Sequence, residues 1–438
     1  MTNDRWLRAG AWALSLAYVW WLLAWSVRPE HFFFADDWDW LYRAMQPLRG
    51  QFTVLPENAY NDRPMGALVY RALYATFGLN PVPFHWTLLL LHLLNMTLVL
   101  ALARRLLRSW WLAAATALAY GGWSAANESV SWMGEIFEVL ASTLVLLTIL
   151  TFSSRRWPVR AVSVVCFYLA LRTRESPIVT PVVLLIIVLV NHHRKEWILP
   201  HAVLAAIFGV VYLSLLPRHQ VTVGAGNPYH MEFTPRAFIE GLYYYVSTMF
   251  YGRPWPVGRL IRWAAVAVLV GAGLMQRSRA TLVGLAGFVL YLAPVLFLPH
   301  QRQALYLYIP ALFFTLAIAG GAEALARGRE AAAVALMLLC VVALPHRAKM
   351  ASRADWLLSH TSRAKSDIDT FRAHVPTLQD GARIALIGFP QDYHVFQTLG
   401  CSVVKVYYRV DQVSCAPAAN GAGADVAVTW HPQGIEVK

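Results

Sequence analysis

Apolar runs recur along the whole 438-residue chain, separated by short clusters of arginine and lysine. Runs that are apolar on every side suit helices surrounded by lipid, because a soluble helix would keep one polar face. Hydrophobic residues make up 58% of the chain and charged residues 14%, so the expected fold class is an all-α polytopic membrane protein. A net charge of +13 is, taken alone, a nucleic-acid signal. The basic residues, however, lie between apolar runs, where membrane topology places them, and no nucleic-acid partner is expected.

The first run, Trp6 to Val27, reads as an uncleaved anchor: it is too long for a signal-peptide core and has no small-residue cleavage site. Arg5 and Arg8 place the amino terminus in the cytoplasm and the following loop, 30–80, outside. Within that loop Trp38 to Leu48 and Pro64 to Phe77 have helical spacing and should lie at the interface, with Met65, Leu68, Val69 and Leu73 on one face. Asp62 is expected to cap the second of these, and Pro64 to occupy its first turn.

A second span, Val82 to Leu102, ends at Arg104, Arg105 and Arg108. Four shorter runs follow: Leu112 to Ala125, Val139 to Phe152, Ala161 to Leu171, and Ile178 to Val190. A perpendicular crossing takes roughly 20 residues, so turns between runs this short must lie partly at membrane depth. The inner turns carry Arg155, Arg156 and Arg160, then His192, His193, Arg194 and Lys195. The outer turns carry Glu128, Glu135, Glu138, Arg172, Arg174 and Glu175, candidates for one polar pocket.

Later spans are read at Leu199 to Leu216, Trp255 to Leu274, Thr281 to Leu298, Ala304 to Ala319 and Ala331 to Leu344, with Phe238 to Tyr251 an interfacial or re-entrant helix. The total is about 11 transmembrane helices over residues 1–345, with the carboxyl terminus outside. Residues 346–438 read as a small extracytoplasmic α/β unit. Its expected helices are Ser362 to Val375 and Gln391 to Leu399, and its expected strands Arg383 to Gly388, Ser402 to Tyr408 and Asp425 to Trp430. Cys401 and Cys415 both fall in that unit and could form a disulfide if it is exported, a pairing the sequence leaves open, while Cys166 and Cys340 read as packing residues. His85 and His92, seven apart, share a face and read as packed or hydrogen-bonded.

Chemistry concentrates at HFFFADDWDWLY, directly after the first span. Aromatic side chains favour the membrane–water interface, and there Asp36, Asp37 and Asp39 are costly to hold. The chain contains no HExxH, Walker or GxGxxG motif and no CxxC pair.

FADDWDW followed by NDRPMGALVYRALYATFGLNPVPFHWTLLLLHLLN resembles the amino-terminal half of the GT-C superfamily of membrane glycosyltransferases, in particular bacterial relatives of the protein O-mannosyltransferase and TMTC type. ANESVSWMGEIFEVLA and RTRESPIVTP are similar to that group as well, and QALYLYIP is a weaker echo. The resemblance implies transfer of a sugar from a polyprenyl-phosphate-linked donor to an acceptor outside the bacterial cytoplasmic (inner) membrane, with inversion. It implies Asp36 or Asp37 as base toward the acceptor and Glu128 as a second acidic residue. Arg63, Arg172, Arg174, His300 and Arg302 are the outer-face cations available to the lipid phosphate, with Glu175 and Tyr306 beside them. The family's arginine before its Tyr-x-Tyr-x-Pro element is replaced by Leu305, and Arg302 stands about one turn earlier. Superfamily members differ in their use of a divalent ion (Mg or Mn); Asp37 and Glu128 are the candidate ligands.

Two other classes compete: a transporter or flippase for lipid-linked sugars, and a non-catalytic subunit that binds envelope glycolipid. The residues also have plainer readings. Asp36 and Asp37 suit a helix amino terminus, Arg174 and Glu175 suit a structural ion pair, and Arg63 can snorkel. The acceptor, whether protein, lipid or polysaccharide, is left open.

Overall fold

The computed structural model describes residues 2–48, 52–58, 62–123, 127–191, 197–222, 229–249, 256–327, 329–342, 347–390, 395–396 and 400–438. The chain begins with α1 (Thr2–Leu23), followed by the loop helices α2 (Asp37–Met45) and α3 (Pro64–Phe77). The bundle continues through α4 (Val82–Leu106), α5 (Trp110–Gly121), the short α6 (Asn127–Ser131), α7 (Ile136–Phe152), α8 (Trp157–Leu171), α9 (Thr180–Asn191) and α10 (Ile198–Thr222). It is completed by α11 (Pro235–Met249), α12 (Pro256–Met275), α13 (Arg279–Leu292), α14 (Tyr308–Leu325) and α15 (Glu330–Val342).

By length and composition, five described helical stretches can cross a membrane alone: Asp4–Ser26, Val82–Leu106, Met133–Phe152, Ile198–Arg218 and Ala304–Leu325. Trp263–Met275 and Arg279–Val295 qualify as a pair bent by 120°, and Trp157–Leu171 and Ser176–Val190 are shorter apolar helices. The short runs are thus helices of fewer than 20 residues, as their lengths require. The core centres on α14 and α7, whose side chains are buried nearly all round. α13 lies so close to α14 that a Cβ on Gly284 would fall 2.6 Å from the Phe313 carbonyl oxygen. Only a small residue permits that backbone approach.

The carboxyl-terminal part consists of α16 (Arg347–His374), β1 (Arg383–Ile387), α17 (Ser402–Tyr408), β2 (Ser414–Pro417), β3 (Val426–His431) and β4 (Gly434–Val437). The sheet order is β2-β1-β3-β4, with β1 parallel to β2 and β3, and β3 antiparallel to β4. Cys401 and Cys415 form a disulfide with Cα atoms 5.5 Å apart, joining the start of α17 to β2.

Two expectations are corrected. Ser402 to Tyr408 is a helix: Val403, Val404 and Val406 are buried, a spacing that alternation does not produce, and Ser414–Pro417 is the strand paired with β1. Asp62 does not cap α3. Its carboxylate accepts from the Glu57 amide at 2.6 Å and from Arg172 at 3.0 Å. The expected Gln391 to Leu399 helix lies outside the described residues apart from Val395 and Phe396, which are buried. The cluster His192, His193, Arg194 and Lys195, the expected span start at Trp255 and the end of the re-entrant helix at Tyr251 also lie outside them, as does the Cys340 side chain.

Candidate active site

Phe32, Phe33 and Phe34 are all buried, Phe32 and Phe33 against Trp38 and Phe33 also against Phe84, which fixes the entry to α2. Ala35 then takes a left-handed conformation, φ +50°, a strained choice for a residue with a Cβ. The turn sets Asp36, partly exposed, at the start of α2 and drives Asp37 fully inside. Asp37 Oδ2 accepts from the Phe34 amide at 2.9 Å and Oδ1 from the Tyr70 hydroxyl at 2.8 Å. One acid therefore locks the turn, and the other stays accessible.

Burial pushes the Asp37 carboxyl up from 3.8 to about 7, with the Phe34 amide and Tyr70 hydroxyl opposing and Asp36 adding to the rise. The folded state thus holds this proton over a range in which the unfolded chain has released it. Asp37 consequently favours folding less as pH rises from about 4 to 7, by on the order of 4 kcal/mol at most. Asp37→Asn, which keeps a hydrogen-bond partner for Tyr70, is expected to flatten the loss of thermal stability across that window. Melting curves at pH 4.5 and 7.5 check it, and an unchanged slope in the variant would refute it.

Three arginines on the neighbouring turns are each held by carboxylates. Arg63, at the start of α3, grips Glu175 with two bonds of 3.0 and 3.2 Å. Arg174 meets Glu138 at 2.5 Å and Glu135 at 3.5 Å, and lies over the Tyr306 ring at 5.4 Å. Arg172 bonds Thr53 at 2.9 Å and Asp62 at 3.0 Å. Burial alone would raise the Glu175 pKa, but Arg63's charge and bonds, with Arg174, bring it below the usual value. Phe137 links the acids to the cations: its ring stacks with Tyr70, meets Trp40 at 4.3 Å and underlies Arg63 at 5.8 Å. A Cβ on Gly66 would collide with that ring, so glycine is what admits it.

Of the sequence candidates, Arg63, Arg174, Glu175, Glu135, Glu138 and Tyr306 come together, and Asp36 and Glu135 both act electrostatically on the Tyr70 hydroxyl. Glu128 lies within electrostatic reach of Glu135. Arg302 stands further along, on Glu240 at 3.2 Å, and its buried Nε has no hydrogen-bond partner among the described residues. His300 is on an exposed rim, 3.7 Å from Glu232. Tyr70 and Glu240 were not singled out from the sequence, and Asp62 was expected only as a helix cap. Tyr70 had a signal, lying seven residues after Arg63 and hence on the same helical face. His85 and His92 are buried; His92 bonds the Tyr308 hydroxyl at 2.7 Å and the Gly121 carbonyl at 3.0 Å, and His85 the His31 carbonyl at 2.8 Å.

Among the described residues no three His, Cys, Asp or Glu side chains converge as metal ligands. Each Asp37 oxygen already accepts one hydrogen bond, from the Phe34 amide and from the Tyr70 hydroxyl.

The carboxyl-terminal unit sits on α2. Ser402 donates to Asp39 at 3.4 Å, Tyr42 to Asp411 at 3.1 Å, and Trp38 packs on Tyr407 with centroids 5.5 Å apart. On the other side Phe34 packs on His360. The cover thereby closes over Phe34, Trp38 and Asp39.

The bundle, the loop helices laid across one end and the cover above them make a mostly helical polytopic membrane protein with an ArnT-like fold. A solved structure it matches is that of ArnT from Cupriavidus metallidurans bound to undecaprenyl phosphate, with a TM-score of 0.50 at 15% sequence identity, over 96% of this chain and 93% of that one. At that identity the likeness is one of fold. No protein-family model and no curated protein sequence matches the chain.

Proposed function

We propose that the protein is an inverting membrane glycosyltransferase, moving a sugar from a polyprenyl-phosphate-linked donor to an acceptor hydroxyl. The reaction takes place at the outer face of the bacterial cytoplasmic membrane, with the amino terminus in the cytoplasm and residues 346–438 outside. What carries the reading is the gathering of the loop acids and the arginine–carboxylate cluster at one end of the bundle, around Tyr70 and Phe137. The fold shared with a structure that holds undecaprenyl phosphate supports the choice of donor.

Asp36 takes the acceptor's proton as the oxygen attacks the anomeric carbon. The bond from that carbon to the phosphate oxygen breaks, and the departing lipid phosphate keeps the electron pair. Arg63, Arg174 and Arg302 present the positive charge that stabilises it. Of these, Arg302 retains an unspent buried donor, Nε.

Arg302→Gln is therefore expected to weaken undecaprenyl phosphate binding to the purified protein by roughly 10- to 100-fold, the value of a charged hydrogen bond. Titration monitored by native mass spectrometry measures this. Equal affinity in wild type and variant would remove Arg302 from the phosphate site, and no binding by either would argue against a polyprenyl-phosphate donor.

A further inference from the structure

A polar cavity lies at the opposite end of the bundle from Asp36. α14 starts beside the acidic cluster at Tyr308 and ends at Leu325 after 18 residues, roughly 27 Å further on. α4 runs the same way to Leu106. At those far ends a cavity of about 710 Å³ is lined by Arg105, Arg108, Arg277, Arg279, Arg327 and Arg329, with Glu323 and Glu330. Three basic clusters far apart in sequence meet there. Lysine and arginine on the cytoplasmic side are expected for topology alone, but topology does not require that they share a cavity.

The two carboxylates are tied to the cavity wall: Glu323 accepts from the Arg108 amide at 2.8 Å, and Glu330 from the Ser109 hydroxyl. Backbone geometry gives an independent sign. Arg277 and Arg327 follow the ends of α12 and α14 in left-handed conformations, φ +51° and +48°, at the helix-end position where glycine is ordinarily favoured. Both left-handed positions carry an arginine that lines the same cavity.

We propose that this cavity seats the phosphate-bearing headgroup of an anionic phospholipid of the cytoplasmic leaflet. The inference rests on the orientation proposed above. The volume is that of an organic ligand site, the excess of arginine suits a headgroup with more than one phosphate, and basic pockets between helix ends at this leaflet are suited to such lipids. The headgroup would neutralise the arginine crowding at the ends of α4, α12 and α14.

The test compares purified wild type, an Arg277→Gly/Arg327→Gly variant and an Arg155→Gln/Arg156→Gln variant. Glycine suits both left-handed positions, so the first variant retains its fold. The second removes equal charge from the same membrane face, outside the cavity. Cardiolipin, phosphatidylcholine and inorganic pyrophosphate are titrated against each, with thermal shift as the readout. Cardiolipin should stabilise wild type and the Arg155/Arg156 variant alike, and bind the Arg277/Arg327 variant roughly 30-fold more weakly. Equal loss in both variants, no shift in wild type, or a full shift from pyrophosphate alone would overturn the proposal. Sugar release is read in the same preparations and should be unchanged by the glycine substitutions, so failure of the catalytic reading is separately visible.

Discussion

Asp36→Asn is expected to lower sugar transfer by roughly 10²–10⁴-fold, the usual contribution of a positioned general base, with the melting temperature nearly unchanged. The two adjacent acids differ in surroundings: Asp36 is partly exposed, whereas Asp37 is enclosed and bonded to Phe34 and Tyr70. Asparagine at 36 keeps the shape and removes the proton acceptor, so donor binding should persist. Asp37→Asn should instead alter stability and its pH dependence. If Asp36→Asn retains full turnover while Asp37→Asn abolishes it in a folded protein, the roles assigned here are reversed.

Arg174→Leu is expected to cost about 3–5 kcal/mol, because it leaves Glu138 and Glu135 buried without their cation. The loss exceeds what a surface pair would give, since all three side chains are almost fully enclosed. Arg174→Leu combined with Glu138→Leu should recover much of it by removing a buried charge along with its partner. Chemical denaturation of the three proteins in detergent separates these outcomes. A single substitution that costs under about 1 kcal/mol would show that the cluster does not hold the α7 end of the bundle.

Much of this was legible in the residues. Long apolar runs declare helices because the period and the solvent leave no alternative, and α3 spans the 14 residues that its Pro64 start and apolar face marked out. The outer-turn acids and arginines were recognisable because charge at membrane depth needs a partner. Pairing was less legible: that Arg63 takes Glu175 while Arg174 takes Glu138 depends on how α3, α7 and the turn before α9 approach one another, which spacing within one helix does not encode. The same limit explains α17. Its valines favour strands, but tertiary contacts of Val403, Val404 and Val406 override that local preference. The cover over α2 likewise joins residues more than 360 positions apart, such as Ser402 and Asp39, and no local pattern announces that contact.

The measurement closest to the central claim is sugar release from polyprenyl-phosphate-linked donors by the purified protein in lipid, with wild type and Asp36→Asn assayed side by side. Wild type is expected to release sugar and Asp36→Asn to lose release almost completely, with polyprenyl phosphate binding retained in both. Lipid binding without release in either protein, across the donors tried, would contradict that claim.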